Sequence, residues 1–132
     1  MKLAGRTILI TGGGSGIGLA LAKKFVELGN KVIITGRSQD RLTKAAGEVP
    51  GIETYPCDVA DAEQITALAA KVSAAHPSLD VLVNNAGIMV FQDLGKGDSD
   101  LGHLTREIRT NLIGPIQMVS AFVDLLVKNK GH

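Results

Sequence analysis

The 132-residue chain has no tryptophan, one tyrosine, three phenylalanines and one cysteine. The lone thiol, Cys57, can close no internal disulfide and offers no paired metal spacing. His76, His103 and His132 likewise have no second His, Cys or carboxylate at ligand spacing, so no metal site is expected and surface or loop positions are expected for all three. A chain without disulfides suits a reducing compartment, and the cytoplasm is the expected one. An excess of one charge is also lacking. Fourteen basic residues face thirteen acidic ones, a formal +1, and the basic ones fall singly or in pairs (Lys23, Lys24, Arg37, Arg41, Arg106, Arg109). With aromatics at 3%, neither a basic patch nor a stacking platform is available, and nucleic acid is not an expected partner. Long apolar runs are missing too. Residues 7–10 are too short for a signal-peptide core. The stretch 118–127, broken by Ser120 and Asp124, is not expected to span a bilayer.

What remains is an ordinary globular composition, 45% apolar, in a chain long enough to bury roughly two thirds of its unfolded surface. Glycine is the outlier, with sixteen residues against an average near 7%. There is no Gly-X-Y period, so the excess marks places where the backbone needs positive φ or close approach.

Two kinds of pattern alternate along the chain. Residues 6–10 form a short β-type run stopped by the glycines from Gly12 on. Ile17, Leu21, Phe25 and Leu28 recur at helical spacing, with Gly29 as C-cap. Residues 31–35 are a second strand, 38–47 a helix capped by Ser38, and 52–57 a third strand. Asp61 and Gln64 form a capping box for a helix reaching Ala75. Residues 79–83 are a fourth strand, 95–102 a loop, and one long helix then runs to about Lys128. Strand alternating with helix predicts an α/β domain with a parallel, doubly wound sheet. Four strands are few for such a fold, whose standard form has about six, so residues 1–132 are expected to be part of a longer domain.

The run Thr11, Gly12, Gly13, Gly14, Ser15, Gly16, Ile17, Gly18 joins the first strand to the first helix, where an α/β sheet places a phosphate. Glycines allow the tight turn and the close backbone approach, and the helix start supplies free N–H groups. A ligand-free glycine turn is the alternative; five glycines in seven residues cost more backbone entropy than such a turn requires. The spacing Gly12-x-x-x-Gly16-x-Gly18 differs from GxGxxG, and no Gly-Lys-Ser/Thr follows, so this is not a P-loop.

These residues resemble the short-chain dehydrogenase/reductase family, whose TGxxxGIG is matched from Thr11 to Gly18. Further matches follow in order: Cys57-Asp58-Val59 after the third strand, Asn84-Asn85-Ala86-Gly87 after the fourth, and Asn111 on the long helix. Within the family, residues 106–116 are most similar to the DltE-like branch. The resemblance implies a Rossmann-type sheet of order 3-2-1-4, truncated after the fourth strand and its following helix. It implies phosphates at Gly12, Gly14, Ser15, Gly16, Ile17 and Gly18, and the adenosine half at Asp58, Val59, Asn85, Ala86 and Gly87. It makes Asn111 the residue holding a catalytic relay water, and a homo-oligomer is implied through the long helix. The implied activity is oxidoreduction, a hydride passing between nicotinamide and a small carbonyl or alcohol substrate. The family's Ser and Tyr-x-x-x-Lys are not found here; the one tyrosine, Tyr55, has Val59 four residues on. The cofactor half is present and the chemical half is not, so the chain alone is expected to be inactive. A non-catalytic dinucleotide-binding module is the alternative function, and an epimerase or dehydratase on the same fold a third.

Several of these residues also carry a plainer reading. Arg37 follows the second strand, where an acid would bind the ribose hydroxyls of NAD and an arginine the 2′-phosphate of NADP. Gly36 stands in the acid's place, so NADP is expected rather than NAD; a solvated arginine is the alternative. Asp40 is explained by the helix dipole. Asp58, Asn84 and Asn85 are also ordinary turn formers. Pro115 lacks an N–H and crowds the carbonyl of Asn111, which predicts a kink there and a carbonyl free to hold water. Leu101, Leu104, Ile108, Leu112, Ile116, Val119, Val123 and Leu126 form one apolar stripe and Ile113, Met118, Ala121 and Leu125 a second, which predicts a helix buried on two sides.

Overall fold

A computed structural model describes residues 4–91 and 101–132. The β-branched run Thr7–Thr11 forms β1, buried along its whole length. It is followed by α1 (Gly16–Glu27), β2 (Lys31–Gly36), α2 (Gln39–Glu48), β3 (Glu53–Pro56), α3 (Ala62–Ala75) and β4 (Val81–Val83). All pairings are parallel and the sheet order is β3-β2-β1-β4. Residues 92–94 and most of the loop expected at 95–102 lie outside the described residues; Leu101 and Gly102 already belong to α4 (Leu101–Ile108).

Alternation along the central strands divides the core in two. Ile8, Ile10, Val32 and Ile34 point to one face, where Ala22 of α1 and Leu42 and Ala45 of α2 cover them. Leu9 and Ile33 point to the other, against Ile65, Leu68 and Val72 of α3 and Met118 and Phe122 of the last helix. Both faces are covered, as a parallel sheet requires. Caps define the helix starts: the Ser38 hydroxyl accepts from Arg41 N–H, and the Asp61 carboxylate from Glu63 and Gln64 N–H. Those donors, with the Gln64 side-chain amide, hold the Asp61 carboxyl below its usual range.

The kink anticipated at Asn111 is a π-helical turn, Arg109–Ile113, in which Gly114 N–H reaches back to Arg109 O. Widening the turn is how the helix absorbs the Pro115 ring at the start of α5 (Gly114–Lys128). Gly114 lies directly over the Val59 carbonyl, so close that a Cβ would overlap it.

Two expectations need correction. The long helix is buried on one side only: Thr110, Gly114, Met118 and Phe122 face inward, whereas Ile108, Leu112, Ile116, Val119 and Val123 are exposed. Of the two stripes, both expected to be buried, most of the longer one faces outward. Helix residues 105–128 are long and apolar enough by length and composition to cross a membrane, and Met118 and Phe122 on their inner face belong to the core of the domain. Finally, His76 is not at the surface. It is 3% exposed, its Nε2 lying 3.0 Å from Glu53 Oε2 and 3.2 Å from Tyr55 Oη, because the end of α3 folds its ring inward against β3. His132 is exposed, and the side chain of His103 lies outside the described residues.

The outer edge of β4 is met by residue 132. His132 N–H donates to Asp80 O at 2.8 Å and Leu82 N–H to His132 O at 2.9 Å, a parallel ladder in its first step.

Phe122 is fully buried at the centre of the α5 contact. Phe122→Ala is expected to cost about 3 to 5 kcal/mol, measured as a shift of the urea unfolding midpoint; a loss below 1 kcal/mol would contradict this packing.

Candidate functional site

The site begins at the end of β1. Thr11 Oγ1 accepts the backbone N–H groups of Asn85 and Ala86, each at 3.0 Å, and lies 3.4 Å from Val83 O. In return the Asn85 amide donates to Thr11 O (2.9 Å) and Gly12 O (3.3 Å). The loops after β1 and β4 are thereby tied together where the strand order reverses, the position at which open α/β sheets bind ligands. Gly12, at φ +67, is backed by Ala86 Cα only 2.9 Å from where its Cβ would lie. A Cβ on Gly18 would run into the Gly12 carbonyl and the Asn85 amide. The glycines thus serve loop-to-helix contact as well as flexibility.

Above this junction is an open cleft of about 750 Å³. Of the residues expected to contact a cofactor, Gly12, Gly14, Ser15, Ile17, Gly18, Arg37, Asp58, Val59, Asn85, Ala86 and Gly87 all line it. Gly16 is not among its lining residues; its φ of +55 is a conformation that favours glycine. Asn111 is also outside the lining. Its side chain instead clamps the backbone of Ile88, accepting from Ile88 N–H at 2.8 Å and donating to Ile88 O at 2.7 Å. The long helix is thus fastened to the loop after β4.

Asp58 plays the turn role and the wall role together. Its Oδ1 accepts from Ala60 N–H and its N–H donates to Gln64 Oε1, while the residue lines the cleft. Sequence reasoning missed Arg41, Leu42, Ile88, Arg106 and Thr110 as further wall residues. Arg41 follows Arg37 by four residues, in the first turn of the next helix, which was a usable signal; Arg106 and Thr110 carried none, since only folding swings the long helix across the cleft mouth.

The walls fit a phosphorylated nucleotide on three observations. The first turn of α1 leaves N–H groups without intrahelical acceptors, and Ser15 supplies no side-chain cap, unlike Ser38 and Asp61. Arg37 and Arg41 make no ion pair among the described residues. In the wall, Thr110 Oγ1 is buried without a partner, a state that costs free energy unless a ligand or water relieves it.

Comparison with known proteins agrees with this geometry. The profile of the short chain dehydrogenase family matches residues 6–132. The chain is similar to the uncharacterized oxidoreductase DltE of Bacillus subtilis, 47% identical over 128 residues, which is 97% of this chain and 51% of that protein. It is 32% identical to a fatty acyl-CoA reductase of Acinetobacter baylyi, over 98% of this chain and 45% of the reductase. Among solved structures, a metagenomic short-chain oxidoreductase in complex with NADP superimposes with a TM-score of 0.88 at 34% identity, covering 98% of this chain and 60% of that one. The chain spans about half the length of the curated relatives it matches.

Cys57 is in the cleft wall, yet it is not poised to react. Burial, aided by the Asp58 and Asp61 carboxylates, pushes its thiol from 9.0 up to about 11. The neutral thiol therefore persists well above neutral pH. Alkylation by iodoacetamide at pH 8 is expected about 100-fold slower in the folded chain than in urea, accelerating only toward pH 11. Equal rates at pH 8 would refute this environment.

Proposed function

Since the chain belongs to the short-chain dehydrogenase/reductase family, we propose that it is the cofactor-binding part, residues 1–132, of an NADP(H)-dependent oxidoreductase acting on a small carbonyl or alcohol substrate. The observation that carries this reading is the cleft at the β1/β4 switch point, floored by an uncapped helix start and flanked by Arg37. Ser15, Ile17 and Gly18 would meet the pyrophosphate with backbone N–H groups and the favourable helix dipole. Gly36 at the end of β2 presents no carboxylate to repel a 2′-phosphate, and Arg37 can bind it through charge-assisted hydrogen bonds. Asp58, Val59, Asn85, Ala86 and Gly87 would line the adenosine half. The bound nicotinamide supplies or accepts the hydride.

Asn111 would act where the resemblance places it, beside the reacting groups, with its side chain committed to Ile88 and its backbone in the π turn. No tyrosine in this chain can donate the proton in the cleft, because Tyr55 sits on β3 against His76. This same fact favours the second reading, a dinucleotide-binding module without catalysis of its own.

Titration by nicotinamide fluorescence is expected to show tighter binding of NADPH than NADH, with Arg37→Asp weakening NADPH by about tenfold; equal affinities in the parent chain would sink the NADP assignment. In the same samples the chain by itself should turn over no carbonyl, and steady NADPH oxidation would overturn the division of labour.

We also propose self-association through the outward face of the last helix. Ile108, Leu112, Ile116 and Val119 are each 47 to 59% exposed, and a contiguous apolar face of this kind is characteristic of an interface. Light scattering at micromolar concentration should report a dimer or larger species, reduced to monomer by Leu112→Lys with Ile116→Lys. A monomeric parent chain would contradict the proposal.

A further inference from the structure

A second arginine on the α2 side lines the cleft, and the binding scheme above leaves it idle. Arg41 is in the first turn of α2, four residues beyond Arg37, and lines the same cleft. Its backbone N–H is taken by the Ser38 hydroxyl at 3.3 Å. Its side chain has no ion pair among the described residues. The stem of Arg41 is also drawn toward the glycine loop. A Cβ on Gly14 would lie 3.3 Å from Arg41 Cβ, so the missing side chain at residue 14 is what lets loop and helix approach there.

Charge supplies the next step. A phosphate monoester carries about −1.5 to −2 at pH 7, more than one arginine neutralises. Arg37, in the connection that follows β2, and Arg41, in the first turn of α2, both line one cleft. Two planar donor forks can share a dianion that a single exposed arginine only partly neutralises.

Resting on the reading of this cleft as an NADP site, we infer that Arg41 is a second ligand of the adenosine 2′-phosphate and, with Arg37, sets the preference for the phosphorylated cofactor. Gly14 has a part in this as the residue whose lack of a side chain gives the Arg41 stem its room.

The test uses two probes that differ only by the phosphate in question, adenosine 2′,5′-bisphosphate and 5′-AMP, titrated calorimetrically into the 132-residue chain. The parent chain is expected to prefer the bisphosphate. Arg41→Gln should lower that preference by about fivefold, a charged hydrogen bond discounted for exposure, and leave 5′-AMP affinity unchanged. Arg41→Lys should retain part of the preference, because it keeps the charge and loses the fork. Arg41 is exposed, so neither change should disturb folding. An Arg41→Gln chain with the parent's preference overturns the inference and leaves the NADP reading standing. Equal loss of both probes also overturns it, since Arg41 would then serve the loop and not the phosphate. A parent chain that binds the two probes equally overturns the NADP reading, and this inference with it.

Discussion

The Thr11 hydroxyl is the point on which the site depends. One buried oxygen at the end of β1 receives two backbone N–H groups from the loop after β4, and the Asn85 amide answers with two bonds to the carbonyls that start the glycine loop. Parallel strands diverge at their carboxyl ends because their connections leave toward opposite faces of the sheet. Here the divergence opens the cleft, and the Thr11–Asn85 bonds limit how far it opens. Gly12 and Gly18 follow from that restraint, since the loop is drawn so close to Ala86 and Asn85 that a Cβ at either position meets them.

Charge is distributed around the cleft with the same economy. Arg37, Arg41 and Arg106 all line it and Asp58 is the carboxylate among its walls, whereas other cations are spent on structure: Arg6 on Asp80 at 2.7 Å, Lys31 on Glu53 at 3.2 Å. Arg6 and Asp80 bind at the amino-terminal edge of the sheet, where Asp80 also accepts Thr7 N–H. One edge of the sheet is thus internally neutralised and the opposite edge keeps cations in reserve. A chain with a net charge of +1 can still present a locally cationic cleft, because field depends on placement and not on the sum.

The last helix joins these two themes. Pro115 forbids a regular helical turn, the π turn at Arg109–Ile113 accommodates it, and the displaced Asn111 becomes a two-bond clamp on Ile88. Gly114, seated on the Val59 carbonyl, lets the helix lie close enough for Thr110 and Arg106 to close the far wall. A backbone irregularity at a functional site is thus also a packing solution.

The strand–helix alternation, the parallel sheet, the glycine loop and the Arg37 position were all determined by the sequence itself, because each depends on local spacing: period two or 3.6, a cap, a residue following a strand. The strand order and most of the cleft wall, Asp58 and Asn85 included, were legible only through the family's motifs, since by spacing alone these residues read as ordinary turn formers. Which face of the last helix is buried was not legible. Two apolar stripes satisfied the same periodicity, and only the width of the sheet and the seat of Gly114 on Val59 chose between them. Nor could spacing place His76 inside, or bring Arg106 and Thr110 to a cleft whose other residues lie far away in sequence. Asn111 shows the boundary most clearly: its position was readable from a motif and a proline, but its hold on Ile88, twenty-three residues earlier, exists only once helix and sheet have packed, since a hydrogen bond across that separation depends on tertiary distance and leaves no periodic trace.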